Sequence, residues 1–305
     1  MTAKDIFTSI TGPLERVERE LQAQADRIVE TWRADSGHGR YVERTLRHLL
    51  HNPGKLLRPA LVLLSAGLVD PLSLERSSKI LIELATTVEL IHSASLVHDD
   101  IIDDEKRRRG KAALHSRFGN QTAVLVGDIL YAQAFYLLTH LELSRWDQHR
   151  ELFRLFCDTT RDMCIGEIVE QRVLAQRGRE EQSQTRRSGG GTEKLDLPGY
   201  LEILRDKTAV LMSACCHSAA VACGASPDTI LELSSFGMNF GLAFQLFDDH
   251  KDKDALISPG VDILAEGERF LSRACSVLEH FPESPYREEL TAACRFIADG
   301  VRIPG

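Results

Sequence analysis

The chain has 305 residues, of which 43% are hydrophobic and 27% charged, and its formal net charge at pH 7 is -8. These values are ordinary for a soluble globular protein, and an acidic balance without an obvious basic face argues against nucleic acid as the main partner. The seven cysteines include no Cys-x-x-Cys pair, so we expect reduced thiols and a cytoplasmic location.

The N-terminal part of the chain predicts three helices separated by short breaks. Apolar residues recur at near-helical spacing over residues 1–34, and further helices are predicted over 41–51 and 59–68. Lys55 and Arg58 stand where the third helix begins. Cations at a helix start are unfavourable unless an anion is bound nearby, so these two side chains either form an anion site or are ordinary surface residues.

A long apolar helix follows and ends in an acidic stretch, after which come three arginines at positions 107–109. Asp99 and Asp103 are four residues apart, so their side chains share one helix face, with Asp100 beside them. Stacked carboxylates repel each other unless a cation lies between them, and Mg2+ prefers carboxylate, water and phosphate oxygens. Guanidinium groups fit phosphate geometry. The motif indicates a metal and phosphate site, with a solvated charged helix end as the alternative.

The middle of the chain predicts two more helices and a loop. Asp128 lies in the apolar run 123–141 and is expected to be buried and paired. A helix over 152–177 precedes residues 177–197, whose charges, serines and three consecutive glycines predict a flexible loop. Residues 208–227 carry no formal charge and are long enough to span a bilayer, but their small side chains are more typical of a buried helix. We therefore predict no transmembrane segment.

A second acidic motif closes another apolar helix. Asp248 and Asp252 are again four residues apart, with Asp249 beside them. Two such motifs that face each other across a cavity could hold several Mg2+ ions around one diphosphate, which is a site for ionising a diphosphate ester. No stretch alternates with period two, so we predict an all-α fold, a single domain over residues 1–305 with roughly ten or more helices around a central cavity.

In their order and spacing these motifs resemble those of the trans-isoprenyl diphosphate synthases (polyprenyl synthetases) over about residues 54–252. The chain departs from that family's pattern after Asp252, where the usual Gly-Lys pair is missing and only Lys251 or Lys253 could replace its lysine. The motifs that carry the resemblance are Gly54-Lys55-x-x-Arg58-Pro59, Asp99-Asp100-x-x-Asp103 with Arg108-Arg109-Gly110, Gly127-Asp128, Gly166-Glu167, Lys207-Thr208 and Gln245-x-x-Asp248-Asp249.

The resemblance implies a Mg2+-dependent head-to-tail prenyltransferase that condenses isopentenyl diphosphate with an allylic prenyl diphosphate, as a homodimer or a heteromer. It implies about three Mg2+ ions per active site. The implied metal ligands are Asp99, Asp100, Asp103, Asp248, Asp249 and Asp252. The implied catalytic residues are Asp99, Asp103, Lys207 and Asp248. The homoallylic diphosphate would be bound by Lys55, Arg58, His92 and Arg109. The allylic diphosphate would be bound by Arg108, Lys207 and Thr208, and Gln245 is a further implied substrate-binding residue.

Two small residues, Ala94 and Ser95, lie about one turn before Asp99. Short-chain members of the family that this sequence resembles place a bulky aromatic residue there, which stops chain growth. The resemblance therefore implies a product longer than fifteen carbons. The end of the product tunnel would come from a deeper residue on the next helix: Tyr131, Phe135 or Tyr136.

Two alternatives stay open from the sequence. A class I terpene cyclase is also all-α and Mg2+-dependent, but it binds no second diphosphate and would not need Lys55 and Arg58. A weakly active or inactive subunit of a heteromeric prenyl diphosphate synthase normally lacks the aspartates, and here both motifs are intact. Only the shortened segment after Asp252 favours that second alternative.

Overall fold

The computed structural model describes residues 7–30, 37–51, 54–76, 78–184, 195–253, 255–257 and 260–302. The predicted all-α class is confirmed, since most of these residues are helical. The helices are α1 (Thr11–Glu30), α2 (Gly37–Leu50), α3 (Leu57–Val69), α4 (Ser73–Arg76), α5 (Ser78–Ile102), α6 (Leu114–Phe118), α7 (Asn120–Thr139), α8 (Trp146–Gln184), α9 (Leu197–Leu204), a π-helical turn (Arg205–Ala209), α10 (Val210–Ala222), α11 (Pro227–Asp252), α12 (Ile263–Leu278) and α13 (Pro285–Arg302).

A short hairpin interrupts the helices directly after the first acidic motif. In the part of the chain that the structure describes, its two strands, β1 (Arg107–Arg108) and β2 (Lys111–Ala112), are the only ones and pair antiparallel. Arg109 and Gly110 form the turn with φ of 50° and 77°. Positive φ at both central residues is the geometry of a tight two-residue hairpin turn. The sequence did not predict this hairpin, because strands of two residues leave no periodic pattern.

The described residues pack as two compact units. The first comprises Met1–Phe153 and Ser218–Ala225, and the second comprises Arg154–His217 and Ser226–Gly305. The prediction of a single domain over residues 1–305 stays a prediction.

The first unit is built around α5, which packs against α1, α3 and α7. Ten consecutive residues of α3, from Pro59 to Leu68, are buried. A helix that is apolar on every face must be surrounded by other elements, which is why α3 lies inside this unit rather than on its surface.

The second unit is built around α11, which packs against α12, α13 and the π-helical turn. Two glycines of α11 permit a close approach. A Cβ atom on Gly237 would lie 2.5 Å from the carbonyl oxygen of Met212, and one on Gly241 would lie 2.7 Å from the Cα of Ala209. The helix begins at a Ser226 cap, whose hydroxyl accepts the backbone N–H of Thr229 at 3.2 Å.

The predicted loop over residues 177–197 differs from the structure at both ends. Helix α8 continues to Gln184, and Leu195 forms an isolated parallel bridge with Ile257 before α9 begins. Residues 185–194 lie outside the described residues. So do residues 1–6 and 31–34 of the predicted first helix.

Among the described residues, three helices are long and apolar enough to cross a membrane by length and composition: Lys79–Ile102, Asn120–Thr139 and Pro227–Asp252. Residues 208–227, the stretch considered from the sequence, are not one of them. In Lys79–Ile102, 72% of the apolar window is buried inside the protein, so packing accounts for most of its hydrophobicity. The prediction that no segment crosses a membrane stays a prediction.

Candidate active site

The first acidic motif forms the last turn of α5. The backbone N–H of Asp103 donates to the carbonyl of Asp99 at 2.8 Å, so the helical pattern continues one residue beyond Ile102. Asp99 is half-buried and Asp103 is exposed, whereas Asp100 is only 4% exposed. Asp99 and Asp103 therefore lie one turn apart, as predicted, while Asp100 lies inside the first unit.

The buried Asp100 forms an ion pair with the partly exposed Arg108. The Nε of Arg108 donates to Oδ1 of Asp100 at 2.7 Å, and its Nη2 contacts the same oxygen. The hairpin makes this pairing possible, because it folds the arginine run back toward the end of α5. Two residues that the sequence assigned to a metal and to the allylic diphosphate are thus joined to each other in the structure.

Gly54 brings the loop before α3 against Arg109. Its φ is +82°, and a Cβ atom there would lie 2.5 Å from the guanidinium carbon of Arg109. A side chain at this position would be strained and would also displace the arginine. The first residue of the Gly-Lys-x-x-Arg motif is therefore a glycine because any larger residue would collide with Arg109. Lys55 beside it is exposed.

Arg58, His92 and Arg109 form a basic cluster in the first unit. Nη1 of Arg58 lies 3.0 Å from Nε2 of His92. Burial and the adjacent Arg58, Arg109 and Arg108 guanidinium groups hold the pKa of His92 well below its ordinary value. His92 is therefore neutral at physiological pH, so its Nε2 can accept a hydrogen bond from Arg58. Three of the four residues predicted for the homoallylic diphosphate are brought together.

Glu89 also belongs to this cluster, and the sequence reasoning missed it. The residue lies on α5, three positions before His92, and is 2% exposed. Its Oε1 is 4.0 Å from Nη2 of Arg109. Burial raises its pKa to about 7, against the opposing effect of Arg109 and Arg58. The available signal was a glutamate in a largely apolar helical run, where a buried acid usually needs a partner.

Asp128 lies differently from its predicted place, on the same side of its helix as a contact with His98. The Asp128 side chain is 61% exposed rather than buried, and its Oδ1 is 3.7 Å from Nε2 of His98. His98 lies 3.1 Å from the carbonyl of Val124 and packs over Gly127, where a Cβ atom would be 2.2 Å from the ring. The Gly-Asp pair on α7 thus accommodates His98. An apolar sequence context predicted burial, but Asp128 occupies the solvent-facing side of the helix.

The residues proposed to control product length lie on α5 and α7. Ala94 is fully buried, and Ser95 is half-buried with its hydroxyl donating to the carbonyl of His92 at 2.9 Å. On α7, the Tyr131 ring is 5.9 Å from the His98 ring, and Phe135 packs on Phe153. Tyr136, the third candidate for the tunnel end, is 55% exposed.

In the second unit, Asp249 is held by neutral donors. It accepts hydrogen bonds from the hydroxyl of Tyr200 and from Nε2 of Gln245, the latter at 2.7 Å. The Gln245 carbonyl accepts in turn from the Thr208 hydroxyl at 2.9 Å. The structure therefore joins Thr208 and Gln245, two predicted substrate-binding residues, to Asp249, a predicted metal ligand. Tyr200 was missed, because a single tyrosine 49 residues away in the sequence gives no signal.

Asp248 and Asp252 at the end of α11 are both exposed. The helix stops at Lys253, which has a left-handed backbone with φ of 61° and donates its N–H to the carbonyl of Asp249. Lys251 and Lys253, the two candidates for the family's missing lysine, are also exposed.

Lys207 lies in the π-helical turn and pairs with two carboxylates of α8. Its Nζ is 2.9 Å from Glu167 Oε2 and also contacts Glu170. Burial opposes its charge, but the two carboxylates outweigh burial and raise the pKa of Lys207. A Cβ atom on Gly166 would lie 2.7 Å from the Lys207 backbone nitrogen, so this glycine lets α8 reach the turn. Such π-helical turns are frequent at functional sites.

The carboxylates of the two acidic motifs suit Mg2+ in chemistry and spacing. In the part of the chain that the structure describes, no group of three or more His, Cys, Asp or Glu side chains is arranged around one metal position. Each unit instead offers a pair one helical turn apart, Asp99 with Asp103 and Asp248 with Asp252. Mg2+ commonly takes only one or two carboxylates and completes its shell with water and phosphate oxygens, so these pairs fit it.

Comparison with known proteins identifies the family. A family model described as polyprenyl synthetase matches residues 40–255. The chain belongs to the polyprenyl synthetase family. It is 32% identical to a short chain isoprenyl diphosphate synthase of Methanothermobacter thermautotrophicus over 75% of this chain and 64% of that protein. It is 34% identical to heptaprenyl diphosphate synthase component 2 of Geobacillus stearothermophilus over 83% of this chain and 67% of that protein.

These curated relatives are longer than the part that matches, and the chain spans from about half to two thirds of their length. A solved structure of an FPP/GFPP synthase from Zymomonas mobilis superimposes with a TM-score of 0.79, at 24% identity, over 97% of this chain and 100% of the other. At that identity the likeness establishes the fold, which is the all-α fold of isoprenoid synthases.

Proposed function

We propose that this protein is a Mg2+-dependent trans-prenyltransferase that condenses isopentenyl diphosphate with an allylic prenyl diphosphate to give a polyprenyl diphosphate longer than fifteen carbons. The observation that carries the proposal is the Arg58–His92–Arg109 cluster, which gives the first unit an anion site distinct from its Asp99–Asp103 pair. A chain that binds two diphosphates needs such a second site. The relatives, which are named as prenyl diphosphate synthases of several chain lengths, support the same reaction.

In the proposed reaction, the C–O bond of the allylic diphosphate breaks and the double bond of isopentenyl diphosphate attacks the resulting allylic cation. Mg2+ bound by the aspartate pairs would neutralise charge on the departing diphosphate. Lys207, kept cationic by Glu167 and Glu170, binds that diphosphate as well. The hydrogen bonds with Thr208 and Asp249 fix the orientation of the Gln245 side-chain amide. The Arg58–His92–Arg109 cluster holds the second substrate. The released diphosphate accepts the final proton, so no protein base is required.

The proposed product length rests on the small volume of Ala94 and Ser95. A growing prenyl chain that passes the end of α5 meets a methyl group and a hydroxymethyl group there, and neither fills the space of an aromatic ring. Because close-packed interiors have no spare room for a phenyl group, Ser95→Phe is expected to stop growth earlier and to shorten the products. Ser95→Ala is the matched control, since it removes the hydrogen bond to the His92 carbonyl without adding volume.

The testing experiment incubates the purified protein with isopentenyl diphosphate and an allylic primer, with Mg2+ or with a chelator, and sizes the dephosphorylated products. We expect Mg2+-dependent products above fifteen carbons, shortened by Ser95→Phe and unchanged by Ser95→Ala. Wild-type products that stop at fifteen carbons would refute the length proposal alone. Hydrocarbon products without diphosphate would instead identify a terpene cyclase.

A second candidate is a subunit of a heteromeric synthase, because one relative is named as a component of a heptaprenyl diphosphate synthase. Turnover by this chain alone in the same assay excludes it. A homodimer and a cytoplasmic location are further proposals, the latter resting on the cysteine pattern of the sequence. Size-exclusion chromatography with light scattering measures the oligomeric state.

A further inference from the structure

Glu89 places a buried carboxylate beside Arg58 and Arg109 of the first unit. Its side chain is 2% exposed. Its Oε1 accepts no hydrogen bond from any residue that the structure describes. The 4.0 Å separation from Nη2 of Arg109 is at the outer limit of an ion pair. A buried charge with so little direct support depends on the surrounding positive field.

That field comes from two arginines. The charged groups that face Glu89 are Arg109, from the hairpin turn, and Arg58, from α3. His92, one turn further along α5, adds no charge because burial and the same arginines lower its pKa. With burial opposing the arginines, the pKa of Glu89 rises to about 7. The carboxyl group is thus poised between its two forms near neutral pH.

We propose that Glu89 is the internal counter-ion of the Arg58–Arg109 cluster and takes up a proton from solvent when a diphosphate binds there. The inference deepens the proposed function, since it rests on this cluster being the homoallylic diphosphate site. Glu89 acts through the arginines and is therefore a positioning residue rather than a catalytic one.

The physical reason is that one pair of guanidinium groups cannot fully neutralise two anions. In the free protein the arginines stabilise the Glu89 carboxylate. Once a diphosphate occupies them, its negative charge cancels that stabilisation, and burial then favours the neutral acid. Proton uptake converts a repelling carboxylate into an uncharged group. The bound state is therefore stabilised relative to one in which Glu89 stays ionised.

The direction of the pH dependence follows from this linkage. Below pH 7 Glu89 is already protonated in the free protein, and binding needs no further proton. Above pH 7 the free protein must take up a proton to bind, so affinity for the diphosphate falls as pH rises. A shift of one unit in the pKa of Glu89 on binding corresponds to a change of about tenfold in affinity between the two limits.

The test measures binding of isopentenyl diphosphate by titration calorimetry from pH 6 to pH 9, without metal, to wild type, Glu89→Gln and Glu83→Gln. Glu83 is a half-buried carboxylate two turns earlier on α5, and its neighbouring charges are Lys79, Glu20, Glu142 and Arg27 rather than the cluster. The ratio of the wild-type to the Glu89→Gln dissociation constant is the quantity of interest, because ionisation of the ligand cancels in it. We expect a ratio near one at pH 6 and about ten at pH 9. Glu83→Gln should follow wild type.

A ratio that does not change with pH, or one that falls below one at pH 9, would overturn the inference. Inorganic diphosphate is the second probe, so that the two proposals can fail separately. If wild type binds inorganic diphosphate but not isopentenyl diphosphate, the homoallylic assignment is refuted, and the pH dependence of inorganic diphosphate binding still tests Glu89. If wild type binds neither ligand, the homoallylic assignment and the role of Glu89 are both refuted. Should Glu89→Gln fail to fold at pH 6, Glu89→Met replaces it as a neutral side chain of similar volume.

Discussion

The two acidic motifs have the same letters, Asp-Asp-x-x-Asp, yet the two units stabilise them differently. At the end of α5, the middle carboxylate is buried and paired with the charged side chain of Arg108. At the end of α11, the middle carboxylate is half-buried and receives hydrogen bonds from uncharged groups of Tyr200 and Gln245. The outer carboxylates of both motifs lie at or near the surface. Neighbouring side chains thus hold the middle aspartate of each motif, and the outer aspartates lie where we propose that Mg2+ binds.

The cationic side chains of the two units also differ in how far neighbouring carboxylates neutralise them. Lys207 in the second unit contacts two carboxylates, so the group of three has no net positive charge. In the first unit, Glu89 lies beside Arg58 and Arg109, and its pKa of about 7 leaves it only partly ionised near neutral pH. A diphosphate can therefore bind the arginine cluster by direct charge pairing. Binding beside Lys207 requires additional cations, which is the role that Mg2+ would fill.

The largest effect is expected when an outer carboxylate is removed from either unit. Asp103→Ala and Asp248→Ala are each expected to lower turnover by about a thousandfold, because each removes a ligand for the charge that stabilises the departing diphosphate. Both residues are exposed, so helical circular dichroism should be unchanged. Steady-state turnover with isopentenyl diphosphate and an allylic primer is the measurement. Near-normal turnover in both variants would contradict the metal assignment.

A smaller effect separates the two middle carboxylates. Asp100→Asn leaves Arg108 without its partner charge and is expected to lower the free energy of unfolding by about 2 kcal/mol, the Arg108 side chain being partly solvated. Asp249→Asn keeps an oxygen acceptor for Tyr200 and should cost about 1 kcal/mol. Urea denaturation of both variants at pH 7.5 gives the difference. Equal losses would show that the charged and neutral environments stabilise the motif alike.

The smallest expected effect is on KM, and it distinguishes Arg58 from Lys207. Arg58→Ala should raise KM for isopentenyl diphosphate about tenfold and leave KM for the allylic primer unchanged, whereas Lys207→Ala should do the reverse. Removal of Mg2+ should abolish binding of the allylic substrate but not of isopentenyl diphosphate, as judged by calorimetry. A rise in KM confined to the allylic primer in Arg58→Ala would reverse the assignment of the two sites.

Much of this molecule follows from local pattern in the sequence. The all-α class and the one-turn spacing of Asp99 with Asp103 and of Asp248 with Asp252 were predictable, because helical periodicity depends only on residues three and four apart. The prediction that Thr208 and Gln245 bind substrate came from the family resemblance and not from periodicity. Asp128 shows the limit of local reasoning, since an apolar neighbourhood does not say which side of a helix faces solvent.

Tertiary structure alone decided how the charges are balanced. The pairing of Asp100 with Arg108 depends on a hairpin whose turn needs positive φ at Arg109 and Gly110. The reach of Tyr200 to Asp249 and the burial of Glu89 against Arg109 join residues far apart in the chain. Such contacts arise from the packing of whole helices, which sequence spacing does not encode. For this reason the sequence indicated which carboxylates suit a metal, whereas only the fold determined which side chains, charged or neutral, lie beside them.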